Sequence, residues 1–229
     1  MVYTCKVIEI KKEVKDTLTF ILEKPLNFKY SAGQYGIFEH KIGEEIIRRS
    51  YSFSSSPSEP NLAITVRFIP GGKMTSYLFG LVIGDSLSFN GAFGKFALED
   101  QKSVVLIGGG SGVTPFRSMA KYAIDMNLSN EITLIYGART PKEVLFNEEF
   151  HSFLRHPNFK LYLTVDKPDG TWHFHSGFIT AEFIKEATQN KVLDKTYFLC
   201  GPPVMLTAIQ TALIGLGVSE NRIILDAWG

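Results

Sequence analysis

The sequence predicts two domains, an antiparallel six-stranded β-barrel followed by an α/β domain built on a parallel sheet. Residues 1–99 contain short apolar and β-branched runs separated by turn signals, which is typical of antiparallel strands. In residues 100–229 such runs alternate with helical patterns, which is typical of a parallel sheet. A glycine-rich turn joins the first strand and the first helix of this second part.

In the first part, turn signals such as Lys24-Pro25 and Gly84-Asp85 separate six predicted strands. A short helix is predicted over residues 74–81, after a proline and two glycines. The six predicted strands are residues 4–10, 17–22, 34–39, 46–54, 62–69 and 86–90.

In the second part, the predicted strands are residues 104–107, 132–136, 160–165, 197–199 and 223–225, and the predicted helices are 115–127, 148–155, 180–186 and 203–215. Ligands of parallel sheets bind beyond the carboxyl ends of the strands. Four predicted loops fall at this edge, at residues 108–115, 137–139, 166–167 and 200–203. We therefore expect these loops to converge on one binding site.

The composition is that of a soluble globular protein. Of 229 residues, 45% are hydrophobic and 21% are charged, so the chain can bury a substantial core. The formal net charge of +1 gives no reason to expect binding to nucleic acid or to an anionic membrane. The sequence has no apolar run of membrane-spanning length and no signal-peptide pattern, so we expect a cytoplasmic protein.

Cys5 and Cys200 are the two cysteines of the sequence. They are too few for a disulfide scaffold and fit a reducing compartment. They also exclude a four-cysteine iron–sulfur cluster held by this chain alone. His173 and His175 lack a third ligand at a suitable spacing, so we expect no metal site.

The glycine-rich turn reads Gly-Gly-Gly-Ser-Gly-Val-Thr-Pro at residues 108–115. Glycines let a ligand approach the backbone, and the N–H groups at a helix start favour a phosphate. The turn is not a P-loop, because no Gly-Lys-Ser/Thr closes it. Val113 stands where the third glycine of the dinucleotide fingerprint is expected. The turn therefore predicts a pyrophosphate ligand and leaves its identity open.

A predicted strand in the first part carries Ile-Ile-Arg-Arg-Ser-Tyr-Ser-Phe-Ser at residues 46–54. Strand alternation places Arg49 and Tyr51 on one face and serines on the other. Arginine can bind phosphate bidentately and tyrosine can stack, so this strand suits a ligand with a phosphate and a planar ring. A surface strand of mixed polarity is the alternative.

A second glycine turn precedes the short predicted helix, whose first turn contains hydroxyl side chains. It is a candidate phosphate cradle, and a Pro-Gly turn with a hydroxyl cap is the alternative. Two such cradles in two different folds favour two nucleotide ligands that meet between the domains.

Four motifs occur in order: Arg-Ser-Tyr-Ser at 49–52, Gly-Lys-Met-Thr at 72–75, the glycine-rich turn at 108–115 and Cys-Gly-Pro-Pro at 200–203. With them, essentially the whole chain resembles the ferredoxin–NADP reductase superfamily of flavoproteins. The resemblance implies that the first domain binds FAD and the second binds NAD(P)H.

For the flavin, the resemblance implies that Arg49 binds the diphosphate and that Tyr51 stacks on the isoalloxazine. It places Ser52 at hydrogen-bond distance from the flavin N5 region. Contacts to the FAD pyrophosphate are implied for Gly72, Lys73, Met74 and Thr75.

For the nicotinamide nucleotide, the resemblance implies that Cys200 lies beside the nicotinamide and helps to orient it. Trp228 would cover the flavin face where the nicotinamide must lie, although Gly229 follows this aromatic residue. Together with Ser52 and Tyr51, these two residues are the candidate catalytic residues. The other implied contacts are Gly109, Gly110, Gly112, Thr114, Gly201 and Pro202.

Arg139 and the pair Asp166-Lys167 are the candidate determinants of cofactor preference. A carboxylate near the adenosine ribose accepts hydrogen bonds from the ribose hydroxyls and repels a 2′-phosphate. The segment around Asp166 resembles NADH-dependent cytochrome reductases, which favours NADH, although Arg139 and Lys167 could still receive a phosphate.

The expected activity is hydride transfer from NAD(P)H to flavin N5, followed by electron transfer to a separate acceptor. The acceptor would be a ferredoxin-like or other small redox protein, a quinone or a small molecule. One alternative is an NAD(P)H-dependent reductase of free flavin. Another is a non-catalytic subunit that senses nucleotides or carries electrons in a larger complex.

Overall fold

The computed structural model describes residues 2–226, which form two six-stranded sheets that follow each other along the chain. The elements of the first sheet are β1 (Val2–Val14), β2 (Thr17–Leu22), β3 (Tyr35–Ile42), β4 (Glu45–Ser52), β5 (Leu62–Arg67), α1 (Lys73–Phe79) and β6 (Ser86–Phe93).

The first sheet is antiparallel, with the strand order β4-β3-β6-β1-β2-β5. The long strand β1 lies at its centre, because its beginning pairs with β6 and its remainder pairs with β2. A bridge between Phe53, just after β4, and Ile64 of β5 joins the two ends of the sheet. The sheet therefore closes into a barrel.

Aromatic rings fill the interior of this barrel. Phe38, Phe53 and Phe89 have no exposed surface, and the ring of Phe89 lies 5.1 Å from that of Phe38 and 5.7 Å from that of Phe53. Such large side chains supply most of the apolar area that stabilises a small barrel. Tyr51, at the end of β4, packs its ring against Phe38 and so stands at the wall of this core.

The second sheet is parallel, with the strand order β10-β9-β8-β7-β11-β12. Its elements are β7 (Ser103–Gly109), α2 (Thr114–Asp125), β8 (Glu131–Ala138), α3 (Asn147–Phe153), β9 (Phe159–Val165), β10 (His175–Ser176), α4 (Ala181–Ala187), β11 (Thr196–Cys200), α5 (Pro203–Gly215) and β12 (Ile223–Asp226).

The fold class predicted from the sequence is confirmed, with a barrel of six antiparallel strands followed by a parallel sheet with helices. One strand was not predicted, the two-residue β10, which adds to the edge beside β9. Within residues 2–226 no helix is both long and apolar enough to cross a membrane.

The connection between the two sheets packs into the second core. Phe96 is buried, with its ring 5.8 Å from that of Phe116 on α2 and 5.2 Å from that of Phe198 on β11. Leu98 belongs to the same buried cluster. The segment that leaves the barrel is thus held by the helix and the strand that flank the glycine-rich turn.

Candidate functional site

The glycine-rich turn lies at the carboxyl end of β7, where the sequence predicted a binding edge. Gly110–Val113 form a 3₁₀ turn that runs directly into α2. The turn packs against the loop after β11, since a Cβ on Gly112 would stand 2.3 Å from the carbonyl oxygen of Cys200. No side chain fits at Gly112, so the two loops meet backbone to backbone.

Gly110 differs from its neighbours because its outer side is open. Its φ of +55° favours glycine, and a Cβ there would have only the Arg67 Nη1 atom within 4 Å, at 3.8 Å. This open backbone faces a small crevice of about 20 Å³ between the two sheets, which Asp16, Arg139 and Glu143 also line. The exposed backbone at the start of α2 fits a phosphate-bearing ligand, while the carboxylates of Asp16 and Glu143 balance the cations of the crevice.

Arg67, which the sequence did not single out, reaches this crevice from the end of β5. Its Nε donates to Asp16 at 2.8 Å and its Nη2 donates to Glu143 at 3.0 Å. Burial opposes the charge of Arg67, but the two carboxylates outweigh burial and raise the pKa of its guanidinium. Arg67 is therefore a fixed cation beside the glycine-rich turn.

Thr114 and Cys200 lie inside the same edge. Thr114 is buried and donates its hydroxyl to the Ser111 carbonyl at 2.7 Å, which fixes the turn before α2. Cys200 is fully buried, with its Sγ 4.0 Å from the Asp226 Oδ2 atom. Gly201 and Pro202 follow Cys200 and leave no room for side chains, since a Cβ on Gly109 would stand 3.0 Å from Pro202 Cδ and one on Gly201 would stand 3.0 Å from the Gly109 nitrogen. Trp228 lies outside the described residues.

The loops after β8 and β9 lie side by side, as predicted. Asp166 donates its backbone N–H to the Ala138 carbonyl at 3.1 Å, and Lys167 donates to the Arg139 carbonyl at 2.8 Å. The side chains of Arg139, Asp166 and Lys167 are exposed. One carboxylate and two cations are therefore presented together at the outer end of the binding edge.

On the barrel, Arg49 and Tyr51 place a guanidinium group and a phenol ring near the end of β4. Arg49 is exposed, and no carboxylate among residues 2–226 pairs with it. Tyr51 is half-buried, and burial raises the pKa of its phenol to about 12, although the nearby charge of Arg49 opposes the shift. Tyr51 is therefore neutral at physiological pH. Ser52, the last residue of β4, is buried.

The second cradle lies at the start of α1. Gly71 has a φ of +75°, and nothing lies within 4 Å of the place of its missing Cβ. The Thr75 hydroxyl donates to the carbonyls of Ile69 or Gly72, each at 3.1 Å, and so stabilises this turn from inside. Met74 is buried in the barrel core. The open surface here is the backbone at Gly71, since the Thr75 hydroxyl lies 2.7 Å from the place of a Cβ on Gly72.

Lys73, also in this segment, is exposed and pairs with Glu45 of β4. The pair joins α1 to the strand that carries Arg49 and Tyr51. Of the four predicted motifs, two therefore belong to the barrel and two to the parallel sheet, each at the end of a strand or the start of a helix.

The barrel and the parallel sheet each match a known oxidoreductase domain, one that binds FAD and one that binds NAD. The profile of the oxidoreductase FAD-binding domain matches residues 4–98, and that of the oxidoreductase NAD-binding domain matches residues 106–211. The chain belongs to the ferredoxin–NADP reductase superfamily of flavin-dependent NAD(P)H oxidoreductases, as the resemblance of the motifs implied.

Curated relatives are reductase components of larger systems. The glycine betaine monooxygenase reductase subunit of Chromohalobacter salexigens is 31% identical over 231 residues, covering 98% of this chain and 62% of the relative. A component of the Na⁺-translocating NADH-quinone reductase of Methylococcus capsulatus is 34% identical over 199 residues, covering 79% of this chain and 49% of the relative. The chain thus spans less than two thirds of these relatives.

Solved structures share the fold over the whole chain. The ferredoxin–NADP⁺ reductase of Neisseria gonorrhoeae, solved with bound FAD and NADP, superposes with a TM-score of 0.88 at 21% identity and covers 98% of both chains. The cytochrome P450 reductase of Amycolatopsis superposes with a TM-score of 0.87 at 28% identity, covering 98% of this chain and 69% of that one.

Proposed function

We propose that this chain catalyses hydride transfer from NAD(P)H to bound FAD and passes the electrons to a separate acceptor. The observation that carries this proposal is the glycine-rich turn. Its backbone is open at Gly110 and lies against the loop of the buried Cys200 at Gly112. When bound, the flavin supplies hydride acceptance and onward electron transfer. The protein's residues bind and orient the two nucleotides.

On the barrel side, we propose that Arg49 holds the FAD diphosphate and that the neutral Tyr51 ring stacks on the isoalloxazine. Ser52 donates its hydroxyl near N5. Support comes from the exposed guanidinium of Arg49, which binds the Arg48 carbonyl but no carboxylate among residues 2–226, and from the half-buried ring of Tyr51 beside it. The open backbone at Gly71 and the following residues Gly72 and Lys73 receive the pyrophosphate, while the Thr75 hydroxyl and the buried Met74 stabilise the turn.

On the sheet side, the open backbone at Gly110 gives the nicotinamide nucleotide close access, while Gly109 and Gly112 let the turn pack tightly against α5 and the Cys200 loop. Arg67 lies next to Gly110, with its charge balanced by Asp16 and Glu143. We assign to Cys200 the orientation of the nicotinamide, with Gly201, Pro202 and Thr114 shaping its surroundings, and to Trp228 the gating of its entry. The domains divide at residues 1–99 and 100–229.

NADH is the proposed donor. Asp166 is exposed beside Arg139, at the loop where the adenosine ribose would lie. Its carboxylate accepts hydrogen bonds from the ribose hydroxyls and repels a 2′-phosphate. Arg139 and Lys167 moderate this repulsion, so the expected preference is modest.

The proposed acceptor is a small redox protein, and the proposed location is the cytoplasm. The relatives named as reductase components support a separate acceptor, because such components act with other parts of their systems. The small net charge gives no reason to expect a membrane-bound location.

Purification of the full chain followed by anaerobic mixing with NADH or NADPH tests the proposal. We expect a yellow protein that retains FAD through gel filtration and is bleached faster by NADH, then reoxidised by an added redox protein. Loss of FAD with rapid reduction of free flavin would favour the free-flavin reductase. A protein that binds nucleotides but is not bleached would favour the non-catalytic subunit.

A further inference from the structure

Arg117 of α2 is a buried cation at the seam between the two sheets. Its Nη1 donates to the Ser54 carbonyl at 2.6 Å and to Glu59 at 3.1 Å, and its Nη2 donates to Glu59 at 3.3 Å. Its Nε and Nη2 donate to Glu149 of α3 at 2.6 and 2.8 Å. One edge of the guanidinium therefore binds the barrel, and the other binds α3 of the domain to which Arg117 belongs.

The charge of Arg117 is permanent. Only 14% of its side chain is exposed, and burial opposes the charge, but the two carboxylates outweigh burial and raise the pKa of the guanidinium. A planar fork that meets carboxylates on two sides is held in one orientation, which a lysine cannot reproduce. Arg117 is therefore a rigid link and not a mobile surface charge.

The barrel side of this link is itself fixed. Glu59 accepts the backbone N–H of Ser56 at 2.6 Å, and the Ser55 hydroxyl binds the Tyr30 hydroxyl at 2.8 Å. Ser118, next to Arg117, donates to the Ser55 carbonyl at 2.6 Å. The chain segment directly after β4 is thus attached to α2 at two consecutive carbonyls.

The position of the link along the chain gives it a role. Ser54 follows Ser52 by two residues, and Arg117 follows Thr114 by one helical turn. The link therefore connects the strand end proposed to face the flavin with the helix start proposed to hold the hydride donor. Reacting atoms must lie about 3–3.5 Å apart, and a misplacement of about 1 Å can cost about 100-fold in rate.

We propose that Arg117 is a positioning residue that fixes the separation between the flavin-binding strand end and the nicotinamide-binding helix. The proposal rests on the proposed function, because it concerns the geometry of the same hydride transfer. It assigns Arg117 no contact with either nucleotide. Its loss is expected to reduce the rate of hydride transfer without reducing the affinity for either ligand.

The two carboxylates provide matched variants. Glu59→Gln weakens the arm that crosses to the barrel, whereas Glu149→Gln weakens the arm within the same half, and the two side chains are similarly exposed at 25% and 28%. Arg117→Met removes the whole link, and Arg117→Lys keeps the charge without the fork. Arg155→Met removes an exposed arginine with no ion pair among residues 2–226 and serves as the control.

The measurements use the full chain with FAD bound, mixed anaerobically with NADH. The limiting rate of flavin reduction, the NADH dissociation constant and FAD retention are determined for each variant. The long-wavelength charge-transfer absorbance of the reduced flavin with NAD⁺ is also measured for each variant. This absorbance reports ring-to-ring geometry, which a loss of stability alone does not change.

We expect Arg117→Met to lower the limiting rate about 100-fold and to weaken the charge-transfer absorbance, with the NADH dissociation constant within about 3-fold. Glu59→Gln should lower the rate about 10-fold, Glu149→Gln less than about 3-fold, and Arg117→Lys should restore part of the loss. If Arg117→Met does not fold, the difference between the two glutamine variants decides.

Equal effects of Glu59→Gln and Glu149→Gln, or unchanged rate and absorbance in Arg117→Met, would overturn this inference alone. A wild-type protein that NADH does not reduce would overturn the proposed function and this inference with it.

Discussion

The two nucleotide cradles are built differently. On the barrel, the exposed guanidinium of Arg49 and the half-buried ring of Tyr51 stand beside the open backbone at Gly71. On the parallel sheet, the open feature is the backbone at Gly110, and the neighbouring cation Arg67 is already bound by two carboxylates. Charge-assisted hydrogen bonds from a side chain are roughly twice as strong as neutral ones. The barrel is thus suited to retain its ligand and the sheet to exchange it.

The largest expected effect is that of Gly112→Ala on the sheet side. A Cβ would stand 2.3 Å from the Cys200 carbonyl, and neither backbone can yield without moving a strand end. We expect reduction by NADH to fall by about 100-fold or more while FAD is retained.

Anaerobic reduction kinetics measure the rate of reduction by NADH, and the flavin-to-protein absorbance ratio measures FAD retention. Gly170→Ala is the matched control, because nothing lies within 4 Å of its missing Cβ. If Gly112→Ala released FAD and left NADH binding intact, the assignment of the two cradles would be reversed.

The next effect is that of Arg49→Ala on the barrel side. Loss of a hydrogen-bonded charge on a phosphate costs about 1.5–3 kcal/mol, so the FAD dissociation constant should rise about 10- to 100-fold. Arg48→Ala is the control, since Arg48 is exposed next to it but is paired with Glu39.

Flavin fluorescence during titration of the apoprotein provides the dissociation constants. Equal affinity losses in Arg48→Ala and Arg49→Ala would show that general charge, and not the unpaired guanidinium, holds the cofactor.

A smaller effect is expected of Asp166→Asn. Removal of one exposed carboxylate should raise the ratio of kcat/KM for NADPH to that for NADH about tenfold, because the repulsion of a 2′-phosphate is lost. Asp194→Asn removes the same charge at the amino end of β11, away from the binding edge, and should leave the ratio unchanged. A ratio that does not move in either variant places the adenosine elsewhere.

The smallest effect concerns Cys5, the buried cysteine of the barrel. Burial raises the pKa of its thiol from 9.0 to about 11, and Glu23 adds to the shift. The protonated thiol therefore favours the folded state. This contribution is complete below pH 9 and is lost as the pH rises through 11.

Cys5→Ala should flatten the pH dependence of the unfolding free energy between pH 9 and 11 by about 1–2 kcal/mol. Denaturant unfolding at pH 8 and pH 10.5 checks this against the wild type. If the unfolding free energy changed by the same amount between the two pH values in both proteins, the thiol would not be desolvated.

The sequence predicted the helices and strands better than the contacts between the barrel and the parallel sheet. The bounds of β2 and α5 coincide with the predicted ranges 17–22 and 203–215, because turn residues and prolines mark both. By contrast, β10 consists of two exposed residues whose only signal is their pairing with β9. Local pattern cannot indicate a strand that depends on its neighbour.

The arginines of the seam escaped sequence reasoning for a related reason. Arg67 meets a carboxylate 76 positions away, and Arg117 meets one 58 positions away. Each looks like a solvated charge in its own segment. Ser52 and Ser54, which the sequence placed on the face opposite Arg49, are buried, and Ser54 and Ser55 lie in that seam. Only the three-dimensional pairing of the halves reveals both facts.

Gly109 carries a constraint that reaches into α5. The Met205 sulfur lies 2.4 Å from the place where a Cβ on Gly109 would stand, and the Met205 methyl lies 2.6 Å from the corresponding place on Gly201. One flexible thioether thus occupies the volume that two glycines leave free. Positions 109, 201 and 205 form a single steric unit, in which a side chain on either glycine must displace the Met205 thioether. A change in the nucleotide loop is therefore felt by the helix behind it.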